Sequence, residues 1–115
     1  MILLKKLNFI LKNNNKIIIN KDLNYFINDN KMNFMDGDTA FKILLNDKIF
    51  MKKNKESLIK LDFKKKTTYI KLLEENLDFE MPIKKSRFIL KEHSLFIEYI
   101  LDDGENTLNN IIIYY

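Results

Sequence analysis

Apolar and polar residues alternate along most of the chain. In "NLDFEM", Leu77, Phe79 and Met81 alternate with Asp78 and Glu80, so on a pleated strand the first set faces one side and the second the other. "SLIKLDF" alternates less strictly, with Ile59, Leu61 and Phe63 against Lys60 and Asp62. "IIIN", "LNYFI", "KMNFM", "TAFKILL", "KIFMKK", "TTYIKLL", "SRFILK", "SLFIEYIL" and "TLNNIIIYY" are rich in β-branched and aromatic residues and read as further strands. Short polar segments separate them: "KNNNK", "NDN", "DGD", "ND", "KKNK", "EEN", "KEH" and "DDGEN". With only two Gly and one Pro, the turns rely on Asn and Asp, which tolerate left-handed backbone angles and bond to their own backbone. Turn signals recurring about every 8 to 12 residues, with no long helix-period segment between them, predict an all-β antiparallel meander, as a sandwich or a closed barrel. No linker or repeat marks a second domain, so residues 1–115 are expected to form one.

The two ends of the chain bear on closure. "NNIIIYY", residues 109–115, is apolar and β-prone, and an open edge of that kind recruits other chains. In an up-and-down barrel the last strand pairs with the first, here "ILLKKLNFIL", and neither is left as an edge. Leu3, Leu7, Ile10 and Leu11 also fit helical spacing. The strand is preferred because it covers the C-terminal stretch. Lys5 and Lys6 interrupt the initial apolar run, and no small-residue cleavage site follows, so a secretion signal or membrane span is not expected and the location is read as cytoplasmic.

Composition narrows the function classes. At 46% hydrophobic and 31% charged residues, the chain has enough apolar surface to fold rather than remain disordered. It contains no Cys, which excludes disulfide scaffolds, thiolate zinc sites and Cys nucleophiles. The formal net charge of +4 suggests an acidic partner, but Arg87 is the only arginine. Lys is a hydrated point charge that also serves solubility, whereas Arg supplies the fork that grips phosphate and guanine. The joint abundance of Lys, Asn and Ile is what an A+T-rich coding sequence produces, which further discounts the charge.

From Thr39 onward the order and lengths of the segments "DGDTAFKILLNDKIFMKK", "SLIKLDFKKKTTYIKLL", "FEMPIKKSRFILK" and "SLFIEYILDDGENTLNNIIIYY" resemble the YwiB-like family of small, uncharacterised bacterial proteins. The ending is the most similar part: a strand, a short turn, then Glu105, Asn106 and Leu108 leading into a last alternating strand. The resemblance implies a calycin-like, that is lipocalin-like, β-barrel. It leaves open the strand order near Leu72 to Phe79. Barrels of about eight or more strands can hold a small ligand, while narrower ones are filled by their own side chains. Phe34, Phe41, Tyr69, Phe79, Phe88 and Tyr99 are the candidates for such a lining, and they serve equally as a dry core.

Catalytic chemistry has little to stand on. The single His, His93, lies in a polar turn, and no nucleophile elbow or phosphate loop is present. "DGD" at Asp36 to Asp38 and "DDGEN" at Asp102 to Asn106 offer oxygen ligands but lack the carboxylate spacing of a calcium loop. Asp78 and Glu80 share a strand face and read as its solvated side. "FKKKTTY" and "IKKSRF" interleave cations with Phe63, Tyr69 and Phe88, the combination that binds single-stranded nucleic acid; against this stand the single Arg and the acidic residues on neighbouring strands. The expectation is a non-enzymatic barrel that binds a small apolar or amphipathic molecule in its interior, with no cofactor. Nucleic-acid binding or protein interaction is the alternative.

Overall fold

The computed structural model describes residues 5–115. Ten strands follow one another, and there is no helix among the described residues: β1 (Lys5–Asn13), β2 (Lys16–Asn28), β3 (Lys31–Asp36), β4 (Thr39–Leu44), β5 (Ile49–Lys53), β6 (Ser57–Asp62), β7 (Thr67–Leu72), β8 (Leu77–Leu90), β9 (Ser94–Leu101) and β10 (Asn109–Tyr114). Each strand pairs antiparallel with the next, and β1 pairs with β10, so the meander closes into a barrel. The order through residues 72–79 is a plain β7–β8 hairpin. The expectation for Ile2, Leu3 and Leu4 lies outside the described residues.

Asn and Asp build the β1–β2 and β2–β3 hairpins as their turn chemistry predicts, whereas Lys48 and Lys66 take the left-handed position in the β4–β5 and β6–β7 turns. Asn14 and Asn15 have φ of 48° and 67°, and Asp29 and Asn30 have 52° and 61°. Two successive residues in the left-handed region give the tight turn whose twist matches a hairpin. Gly104 reaches φ of 81° in the β9–β10 connection, where a side chain would be strained.

The C-terminal strand has a partner on each side. Ile113 lies opposite Phe9 of β1 and Leu95 of β9, and Ile111 lies opposite Leu11 and Ile97. Ile111 and Ile113 face inward and are buried, whereas Ile112 is half-buried on the outer wall and Tyr114 is exposed.

Twelve stretches read as strands from the sequence become ten, because two pairs fuse. "IIIN" and "LNYFI" form β2, and "NLDFEM" and "SRFILK" form β8. Pro82 does not break β8 because it sits where pairing passes from β7 to β9. Ile83 N donates to Lys66 O on one side, and Pro82 O accepts from Asp102 N on the other, just past the end of β9. A strand residue's N and C=O point to the same side. The missing N–H of Pro82 therefore faces a place where no ladder continues. In β2 the polar "NKD" stays extended because β1 pairs along it, and Asn8 Nδ2 donates to both Asn20 Oδ1 (2.9 Å) and Asp22 Oδ1 (3.1 Å).

The barrel interior is filled by side chains. Phe9 meets Phe34 and Phe41 at ring separations of 5.0 and 4.9 Å, Phe34 stacks on Phe41 at 4.9 Å, and Phe41 contacts Phe50. A second cluster joins Phe63 to Phe88 (5.8 Å) and Tyr99 (5.9 Å). Pairs at these separations add roughly 0.5–1.5 kcal/mol each beyond area burial. Thr68, between Leu61 and Met81 on the inner face, is 1% exposed, and its Oγ1 has no hydrogen-bond partner among the described residues.

Candidate binding groove on the outer wall

The length of β2 opens a groove on the outer wall. β2 runs alongside β1 from Lys16 to Tyr25, but it pairs with β3 only from Tyr25 to Asn28. On the N-terminal side of Tyr25, from Asn24 back, the two strands part, and a groove of about 710 Å³ opens there. One wall carries Lys6, Asp22, Asn24 and Phe26. The other carries Asn33, Met35, Ala40, Lys42, Met51, Lys53 and Leu58, and Leu23, Phe34 and Phe41 border it from the core.

Register explains why these side chains share a face. Met35, Ala40, Lys53 and Leu58 are successive cross-strand partners, and Phe26, Asn33, Lys42 and Met51 form the adjacent row. Both rows point outward, since the residues between them on β3 and β4, Phe34 and Phe41, are core. Ala40 is the only alanine in the chain, and it occupies the middle of the first row. Its short side chain leaves a depression between the longer Met35, Lys42 and Lys53. The apolar floor and polar rim, at this volume, match the usual make-up of a small-molecule site.

An ion pair spans the top of the split. Lys21 Nζ lies 3.0 Å from Asp36 Oδ1, where the β2–β3 ladder no longer holds the strands. The lysine side chain is 55% exposed, so the pair contributes at most about 1 kcal/mol. Asp22, the one carboxylate on the groove walls, already accepts a hydrogen bond from Asn8. Lys42 and Lys53 make no ion pair within 4 Å among the described residues.

The six aromatic residues read as a lining do not meet in one cavity. Phe34 and Phe41 pack in the first core cluster and border the groove from beneath. Phe88 and Tyr99 pack on Phe63 in the second cluster. Burial pushes the Tyr99 hydroxyl up to about 12. Phe79 lies in the ladder row of Ile70 and is 40% exposed, on the part of β8 that pairs with β7 alone. Tyr69 is a correction to the sequence reading: its neighbour Thr68 takes the inner face, so Tyr69 stands on the outer wall. There its hydroxyl donates to Asp78 Oδ2 at 3.1 Å, and partial burial together with that carboxylate raises its pKa. It borders a recess of about 330 Å³ that shares Met51 and Leu58 with the groove.

Sequence reasoning missed the groove residues Met35, Ala40, Lys42 and Lys53. The lone alanine among long side chains was the available signal. The structure also gathers two separate cationic stretches: Lys66 joins Lys84, Lys85 and Arg87 around a recess of about 370 Å³, with Glu98 and Tyr99. The Ile83 N to Lys66 O bond brings these stretches together. Arg87 is partly occupied, with Nε 3.6 Å from Glu98 and its guanidinium 5.5 Å from the Phe96 ring centre. His93 stands exposed beside Glu92. Among the described residues no group of three or more metal-ligating side chains occurs.

No family model, curated protein or solved structure matches this chain.

Proposed function

We propose that the protein is a non-enzymatic binder of a small apolar or amphipathic molecule, held in the groove where β2 parts from β3 rather than in the barrel interior. The observation that carries this reading is the depression over Ala40, floored by Met35, Met51 and Leu58 and walled by Phe26, while aromatic rings occupy the interior. A preformed apolar concavity needs no ordering of the protein to accept a ligand, so little affinity is lost to conformational entropy. The resemblance to the YwiB-like, calycin-like barrels belongs to this proposal, supported by the closed antiparallel meander alone.

The test is Ala40→Leu, which fills the depression from an outward position and leaves the core untouched. Fluorescence titration with the neutral probe N-phenyl-1-naphthylamine should show saturable binding to the native chain. The variant should lose it while melting at the same temperature. Equal binding by both proteins would place the site elsewhere.

A second reading rests on the convergence of Lys66, Lys84, Lys85 and Arg87, which suits a single-stranded nucleic acid. The Arg87–Glu98 pair and the packing of Tyr99, the aromatic residue at that recess, against Phe63 weigh against it. Binding of an oligothymidylate that survives physiological salt and is lost in Lys84→Glu/Lys85→Glu would favour this alternative.

A further inference from the structure

Resting on the groove reading, we infer that the ligand is a single-chain anionic amphiphile whose head is held between Lys42 and Lys53. The two lysines occupy adjacent strands: Lys42 faces Met51, and Lys53 faces Ala40 and Leu58. They are therefore diagonal neighbours on the same face, close enough for long side chains to meet over the depression. Like charges in this arrangement repel, and neither lysine has a carboxylate partner among the described residues. An anion placed between them removes the repulsion and gains charge-assisted hydrogen bonds from both.

The walls extend the same argument. Three lysines and one aspartate give the groove a formal charge of +2 (3 − 1), and the aspartate is engaged by Asn8. A cationic head would meet only this occupied carboxylate. A neutral one would leave the lysines unpaired. From the head, the apolar body lies over Ala40 toward Met35 and Phe26, the most exposed apolar side chains of the groove at 53% and 39%. Covering them removes apolar surface from water, the largest favourable contribution available to a ligand at this place.

Calorimetric titration below the critical micelle concentration, with dodecanoate, dodecanol and dodecyltrimethylammonium, tests the head group directly. Dodecanoate should bind about tenfold more tightly than dodecanol, with the cation weakest. Lys42→Gln/Lys53→Gln should abolish that order, leave dodecanol affinity unchanged and leave the melting temperature unchanged, since both side chains point outward. If dodecanol binds as tightly as dodecanoate and both are lost in Ala40→Leu, the anionic-head inference is overturned and the groove reading stands. If no probe binds, or Ala40→Leu has no effect, both fail. Co-sedimentation with phosphatidylglycerol vesicles without dodecanoate binding would assign the lysines to a lipid surface and overturn the inference.

Discussion

The covering of the C-terminal strand makes a quantitative prediction at two adjacent residues. Ile113 is 0% exposed on the inner face, wedged between Phe9 and Leu95, while Ile112 is half-buried on the outer wall between Ile10 and Phe96. Truncating a buried Ile leaves a cavity that a close-packed aromatic neighbourhood refills poorly, so Ile113→Ala should cost roughly 2–5 kcal/mol. With a urea m-value of about 1–3 kcal/mol/M for small proteins, a loss of ~3 kcal/mol lowers the unfolding midpoint by roughly 1–3 M. Ile113→Lys adds the desolvation of an ammonium with no partner, and the sum approaches the whole stability of a small domain, about 5–15 kcal/mol. At Ile112 a lysine lays its methylenes along Ile10 and Phe96 and keeps its charge in water, so Ile112→Lys should stay within about 1 kcal/mol. Urea unfolding followed by far-UV circular dichroism measures all three. Equal large losses at 112 and 113 would mean that both faces are covered. A reversed order would mean that the strand is shifted by one residue, and either result refutes the closure register.

Two further outcomes test the interior. Thr68→Val replaces a buried hydroxyl that lacks a partner among the described residues with a methyl of similar shape, and should raise stability by about 1 kcal/mol; a loss of that size would show that the hydroxyl is satisfied. The Tyr99 hydroxyl, raised from 10.0 to about 12 in the fold, favours folding fully below pH 10, and that contribution is lost as pH rises from 10 to 12. The loss approaches about 3 kcal/mol. Urea midpoints at pH 9 and 11.5 should fall less in Tyr99→Phe than in the native chain, and equal falls would remove Tyr99 as the cause.

Period-two alternation and turn signals were enough to read an antiparallel meander and most of its hairpins, because each depends on neighbours a few residues apart; they did not show that β2 and β8 each run on as one strand or settle the order near Leu72 to Phe79. The covering of "NNIIIYY" was also legible, since an apolar strand must pair somewhere, and in a meander the other terminal strand is the one left to meet it. The tertiary structure decided the rest. Alternation says that Tyr69 and Thr68 face opposite sides, but not which side is inside; the aromatic ring favours Tyr69, whereas the fold turns Thr68 inward between Leu61 and Met81. Alternation could not show that β2 outruns β3, because where two strands part depends on stagger around a closed barrel and leaves no mark in either strand. The groove follows from that parting. Its residues come from β1 to β6, so Ala40, Lys42 and Lys53 acquire a shared role only when closure sets them over one floor.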